Sequence, residues 1–375
     1  MKKTYKLFLL LSCLFLLASC SGETPKSNKP EEKPVSENEQ VKDQKEAEKK
    51  ELKPLELEET SFQRVIDWID SDRVIILSNS GNENQLLDYN IFSGEQNIIY
   101  SDEEVIVDAK ISPDRQRILI HSAPLTYSAS MTIIDLNGDV IFEKDIESYE
   151  VAFEWNDRNP DLLFISSFAE DWTFEVMLAD LSQGSVSSVD SPQPFIKWVN
   201  ESSFLYQEWP EESISLTAPL YSRNLYSEEK VLVEEETIHF DTLPPYILSI
   251  SIDEGTEGKA VYQFITEEGT IASSLEQPLL SSYSNWVVPY YDKIDSERTF
   301  VSLTAGESMP EDSYQGTFTL EKWNMKTGQR EQILHGLPNE PLECSPSGDY
   351  CLTGYELKQA VDLKNKEAAD LVIIK

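Results

Sequence analysis

The sequence predicts an all-β fold: a β-propeller of four-stranded antiparallel blades, set behind an export signal and a charged tether. Three observations carry that expectation. A paired turn motif recurs along residues 60–375, helical periodicity is missing from the same span, and the first twenty residues have the layout of a secretion signal ending in cysteine.

The N-terminus comes first. Lys2, Lys3 and Lys6 precede an apolar run from Leu7 to Leu17 that is broken only by Ser12. That run is too short to cross a bilayer comfortably and fits the core of a signal peptide. It closes on Leu17-Ala18-Ser19-Cys20, which resembles the lipobox of bacterial lipoproteins. The resemblance implies cleavage of residues 1–19, lipidation of Cys20 and a partner in the membrane itself. The export signal implies that the mature chain stands on the extracytoplasmic side of the cell membrane, and the two or three acyl chains of a mature lipoprotein make a stable anchor where one does not.

Residues 20–59 read as a tether. After Cys20 they hold eight Lys, twelve Asp or Glu, four Pro and no aromatic residue. Such a composition buries too little apolar surface to offset the entropy of ordering.

The domain, residues 60–375, is built from repeats. One landmark is a polar residue, an aliphatic residue and a turn. It appears as Asn90-Ile91-Phe92-Ser93-Gly94, Asp135-Leu136-Asn137-Gly138, Asp180-Leu181-Ser182-Gln183-Gly184 and Asn224-Leu225-Tyr226. It returns in degenerate form at Thr266-Glu267-Glu268-Gly269, then as Asn324-Met325-Lys326-Thr327-Gly328 and Asp362-Leu363-Lys364-Asn365. A second landmark precedes it, as in Trp68-Ile69-Asp70, Trp155-Asn156-Asp157 and Trp198-Val199-Asn200, each followed by a short apolar run. Turns between short β-rich runs mark hairpins. Each unit therefore reads as strands a to d joined by tight a–b and c–d turns. A four-stranded repeat of about 40–50 residues is a propeller blade. Seven units are counted, with six as the alternative if an end unit is incomplete. Trp68, Trp155 and Trp198 share one strand-a position and are expected to pack between blades.

Ile111-Ser112-Pro113-Asp114-Arg115 and Cys344-Ser345-Pro346-Ser347-Gly348-Asp349 resemble the Ser-Pro-Asp-Gly hairpins of TolB-like and WD40-like propellers. With the lipobox and tether, the whole chain resembles the YqgU-like propeller lipoproteins of Gram-positive bacteria, a family associated with six blades. Its motifs specify blades and not chemistry.

The domain holds 20 Lys or Arg against 56 Asp or Glu. That field repels nucleic acid and anionic polymers. Cations, basic proteins and neutral ligands remain as partners. In an a-b-c-d meander the b–c loops share one face, and they are expected to be long: 123–130, 168–173, 208–219, 253–259 and 305–316. Loops on a rigid scaffold are where binding residues gather. These loops supply the binding candidates Tyr127, Trp172, Trp209, Glu211, Glu307 and Tyr314, aromatics among carboxylates that suit a basic peptide, a cation or a sugar.

Catalytic signatures are missing. The sequence has no Gly-x-Ser-x-Gly elbow and no His-Glu-x-x-His helix, and His121, His239 and His335 fall at non-equivalent places. No cofactor is expected. Asp157 to Asp161 offers spaced oxygens for calcium but lacks the glycine and the bidentate Glu of a calcium loop, and Asp253, Glu254 and Glu257 form a weaker cluster. Cys344 and Cys351 flank the last hairpin. A two-residue turn at Ser347-Gly348 sets them opposite each other, whereas a bulged turn from Pro346 sets Cys344 against Tyr350. The oxidising compartment tips the expectation to a disulfide. The reading is a binding or scaffolding module for an envelope partner or ligand on the long-loop face. The alternative is a hydrolase or lyase of extracellular polysaccharide that works through loop carboxylates. A deep central pocket with paired, raised-pKa carboxyls would favour the enzyme.

Overall fold

The computed structural model describes residues 50–210, 215–252, 258–283 and 285–375. The signal peptide, Cys20, most of the tether and Glu211 lie outside the described residues, as do Asp253, Glu254 and Glu257.

Seven four-stranded antiparallel sheets follow one another along the chain, each with its strands in sequence order. Blade 1 is Phe62–Trp68, Arg73–Ser80, Glu83–Asn90 and Gln96–Asp102. The innermost strands of blades 2 to 7 are Ile106–Ile111, Glu150–Trp155, Lys197–Trp198, His239–Leu243, Tyr291–Ile294 and Leu342–Cys344. Every c–d landmark of the sequence sits at a c–d turn.

Burial explains why the second strands read as unbroken apolar runs. Val74 to Leu77, Ile118 to Ile120 and Leu163 to Ile165 are all buried, because each sheet is covered on both faces by a neighbouring blade. The covering residues form a cluster at each seam. Ile75, Leu77 and Leu86 of blade 1 meet Ile118 and Ile120 of blade 2. Each such side chain contributes about 1.5–3 kcal/mol by leaving water. Outer strands such as Lys230–Thr237 alternate or lie exposed.

Two of the repeated tryptophans cross the seams as expected. Trp68 Nε1 donates to the Glu343 carbonyl of blade 7 (2.9 Å), and Trp198 Nε1 to the Glu154 carbonyl of blade 3 (3.1 Å). The Trp198 ring also stacks on Phe164 with centroids 3.8 Å apart. Trp155 departs from this pattern: its Nε1 donates to the Pro160 carbonyl of its own hairpin (2.7 Å).

The ring closes by a clasp between the ends of the domain. Leu55–Leu57 runs parallel to Val372–Ile374. Leu55, Leu371 and Val372 fill the seam between blades 1 and 7 beside Trp68, Tyr350 and Leu352. This corrects the tether boundary at residue 59. Leu55 and Leu57 alternate across Glu56 as a strand does, and the alternation is too short to stand out within a charged segment.

The loop expectation is corrected in blades 2 and 3. Leu125 pairs with Ser128, so Thr126 and Tyr127 form a two-residue turn. Ala169 N–H donates to Thr173 O and closes a tight hairpin around Trp172. Blade 6 keeps its long excursion, but that segment is ordered: Met309–Pro310 pairs with Leu280–Ser281, and a 3-10 turn follows at Glu311–Ser313.

Candidate functional site

Each of the seven innermost strands brings at least one ionisable side chain toward the propeller axis, Asp67, Lys110, Glu154, Lys197, Asp241, Asp292 and Glu343, and four of them add a second at the cavity walls, Arg64, Asp108, His239 and Lys293. In blades 1, 2, 3, 4 and 7 the axial one is the residue just before the strand-a landmark, as in Asp67-Trp68, Lys110-Ile111 and Glu343-Cys344. The seam hydrogen bonds of Trp68 and Trp198 hold the backbone of Glu343 and Glu154, so the same motif that locks the blades also fixes the ring.

The ring has two halves. In blades 3 to 5, Lys197 Nζ bridges Glu154 Oε2 (3.0 Å) and Asp241 Oδ1 (3.3 Å). Burial alone would raise the Asp241 pKa, but Lys197 and His239 outweigh it and hold the carboxyl below its ordinary value. Burial raises the Glu154 pKa against the pull of the shared lysine. Tyr291 OH donates to Asp241 Oδ2 (2.9 Å) and lies 2.6 Å from His239 Nε2, which ties blade 5 to blade 6. Burial lowers the His239 pKa.

Blades 6, 7 and 1 hold the acidic half. Burial pushes Asp292 up to about 7, opposed by backbone N–H groups of Cys344 and Lys293. Burial, then the charges of Asp67 and Asp292, raise Glu343 well above its ordinary range. Asp67 is raised by burial as well, although Arg115 Nη1 stands 3.4 Å from its Oδ1. Lys110 Nζ donates to the Phe153 carbonyl (3.2 Å), and Lys293 Nζ to Asp157 Oδ2 (2.9 Å).

Open space surrounds these groups. A cavity of about 460 Å³ at the tight-turn end is lined by Asp67, Lys110, Arg115, Glu154, Asp292 and Glu343 among others. Cavities of about 350 and 370 Å³ lie toward the opposite end, one at Phe195, Lys197 and His239, the other at Arg64, Asp108 and Tyr355. Sizes of this order hold small ligands. The lining combines cations, carboxylates and, at Asp292, a carboxyl able to donate as well as accept near neutral pH.

The candidates read from the loops are scattered. Tyr127 and Trp172 come together through Tyr149, with centroid steps of 6.0 and 6.3 Å. Trp209 is 40% exposed in blade 4, and Glu307 is exposed in the blade 6 excursion. Tyr314 staples that excursion: its hydroxyl accepts from Gly306 N–H (3.0 Å) and donates to Thr317 O (2.9 Å), and its ring meets Phe318 edge-on. Tyr314 is half-buried and packs against the blade 6 core. Cys344 and Cys351 face each other in the ladder and are joined by a disulfide. The hairpin loop is four residues, with Gly348 at φ 74°; both the two-residue and the four-residue loop give this register. Among the described residues, no three of His, Cys, Asp and Glu are disposed to hold a metal ion. Asp157 and Asp161, the calcium candidates, pair instead with Lys293 and Arg117. The three histidines lie apart, His121 against Phe153, His239 on Tyr291 and His335 on Thr319.

The comparisons agree with a β-propeller fold. The family model of the YqgU-like 6-bladed beta propeller domain matches residues 90–354. The chain is 26% identical over 328 residues to the uncharacterized lipoprotein YqgU of Bacillus subtilis (strain 168), covering 87% of this chain and 88% of the relative. It superposes on the 1.18 Å crystal structure of an uncharacterized protein from Listeria monocytogenes EGD-e with a TM-score of 0.80 at 23% identity, covering 87% of this chain and 98% of that one. An oligogalacturonate lyase from Vibrio parahaemolyticus shares the fold at a TM-score of 0.56 and 12% identity, over 78% of this chain and 86% of the lyase. The family description gives six blades, whereas the described residues here form seven four-stranded sheets. The matched span begins inside blade 1 and ends inside blade 7.

Proposed function

The chain belongs to the family of YqgU-like β-propeller domains, and we propose from that premise that it is a membrane-anchored, extracytoplasmic binding module whose ligand enters the axial channel. The observation that carries the reading is the ring of seven ionisable side chains. Burying charge costs several kcal/mol per ion unless geometry repays it, and apolar residues of similar size serve stability as well or better. Ionisable residues on every innermost strand, around open space, are therefore the signature of recognition. The lipobox at Cys20 and the lipoprotein relative support the anchor.

Native mass spectrometry of the lipidated protein, extracted from its own cells in mild detergent, tests the channel. A bound small molecule at one copy per chain, lost in Glu343→Gln, is expected. An unloaded wild-type chain that no polar metabolite or glycan fragment stabilises would overturn the reading. The anchor has its own test: Cys20→Ala should move the protein from the membrane fraction to the soluble extract, and retention in the membrane would contradict it.

One observation favours a second reading, chemistry on a polysaccharide. Asp292, held near 7, suits general acid–base work at neutral pH, and Glu343 lies beside it. These carboxyls sit on innermost strands and not on the loops. New chain ends from an oligosaccharide that vanish with Asp292→Asn would establish this reading over simple binding.

A further inference from the structure

We propose that the b–c face of blades 2 to 4 docks a basic peptide segment of a partner protein, on a track of aromatic rings framed by unpaired carboxylates. The rings follow one another as Tyr127, Tyr149, Trp172, Phe168 and Phe195, with centroid steps of 6.0, 6.3, 6.1 and 5.5 Å. Phe168 is buried and supports its neighbours. The other four are 56, 46, 61 and 67% exposed, far more than packing needs. They come from three blades, so the scaffold holds a surface that no single hairpin could make. An exposed apolar patch of this kind on a soluble domain marks an interaction site.

Trp172 is the informative member. It sits at φ 64°, the left-handed conformation that glycine adopts without cost and a bulky residue does not. Asp171 pins the turn by accepting from Thr173 Oγ1 (2.7 Å) and N–H (3.1 Å). The hairpin therefore holds a large ring at its tip against local preference.

Charge decides the occupant. The segments bearing the first four rings, 124–130, 145–150 and 168–175, contain Asp145, Glu147, Glu150, Glu170, Asp171 and Glu175 and no Lys or Arg; Lys144 borders the second, and Lys197, two residues beyond Phe195, is engaged by Glu154 and Asp241. All six acids are exposed. None of them takes part in any of the ion pairs found among the described residues. Ring faces attract ammonium and guanidinium groups, carboxylates pair with them, and the aliphatic stems of Lys and Arg pack on the rings. An anionic membrane surface meets repulsion here. A neutral glycan would use the rings and ignore the six acids.

The test uses the full lipidated chain in non-ionic detergent and a fluorescein-labelled octapeptide of alternating lysine and arginine. Because the whole protein is acidic, the discriminating variants leave charge unchanged. Trp172→Gly suits the left-handed turn, and Tyr149→Ser is a second variant should the first disturb folding; neither residue lines the axial cavities. Each is expected to weaken anisotropy-detected binding by about threefold to tenfold, and Tyr226→Ala, an 82% exposed ring on the opposite face, to leave it unchanged. Equal binding by all three variants and the wild type would mean diffuse attraction and would overturn the proposal. Tighter, Trp172-dependent binding of an N-acetylglucosamine tetramer or of phosphatidylcholine vesicles would overturn it in favour of a glycan or a membrane.

Discussion

The backbone N–H of Cys344 donates to Asp292 Oδ2 over 2.5 Å, across the seam between blades 6 and 7. Ser345 N–H already donates the hairpin hydrogen bond to Tyr350 O, so Cys344 and Cys351 form the close pair of the ladder whose backbones exchange no hydrogen bond, the pair that the disulfide joins. The Cys344 amide is left pointing away from its partner strand, and the axial acid of blade 6 accepts from it.

Asp292 should make stability depend on pH. Its ordinary value is 3.8 and burial raises it to about 7, so from pH 4 to 7 the folded chain holds a proton that the unfolded chain has released. Stability from this group therefore falls as pH rises through that window and levels off above it. Asp292→Asn removes the effect and can still accept from Cys344. Its advantage over wild type should grow from near zero at pH 4 to a ceiling of roughly 4 kcal/mol at pH 8, at about 1.36 kcal/mol per pKa unit. Glu343 and Asp67 share the protons and reduce that figure. Denaturant midpoints at pH 4.5 and 8 measure it, and a pH-independent difference would contradict the assignment.

Much of this architecture was legible in the sequence, because turn chemistry repeats where core packing varies. The landmark Asp135-Leu136-Asn137-Gly138 reads as a turn whatever surrounds it. The axial ring was also written there, as a charged residue before each landmark in five blades. A period-2 pattern assigns such residues to a solvated face, whereas in a closed ring that face lines the channel. The hairpin around Trp172 looks like a long loop in the sequence for a different reason. A tryptophan occupies the position where glycine would have announced a tight turn. Which rings converge from different blades is set by blade order and twist, and no local pattern contains it.

A buried carboxylate in blade 6 offers a sharper stability test. The Glu321 side chain is fully buried and pairs with Arg330, while Gln332 Nε2 and Thr304 Oγ1 donate to it at 3.1 Å each. Arg330→Met leaves that charge without its cation and should cost about 3–5 kcal/mol. Adding Glu321→Gln should recover more than half of the loss. Urea unfolding of the single and double variants checks both numbers.

The clasp makes a paired prediction. Val372 is 3% exposed in the seam between blades 1 and 7, whereas Ile373, on the other side of the same strand, is 38% exposed. Val372→Asp buries an unpaired carboxyl and should cost upwards of about 3 kcal/mol; Ile373→Asp should cost less than about 1 kcal/mol. Similar thermal shifts for the two would mean that the C-terminal strand does not close the ring.

The most direct test asks whether the axial charges serve binding or folding. The double variant Lys110→Met with Glu343→Gln removes one cation and one acid from the channel without changing side-chain length by much. Its unfolding midpoint and its co-purifying ligand are measured side by side with those of the wild type. If the charges serve binding, the midpoint stays equal or rises and the bound molecule is lost. A marked fall in midpoint with the ligand retained would show that the ring holds the fold together and that recognition lies elsewhere.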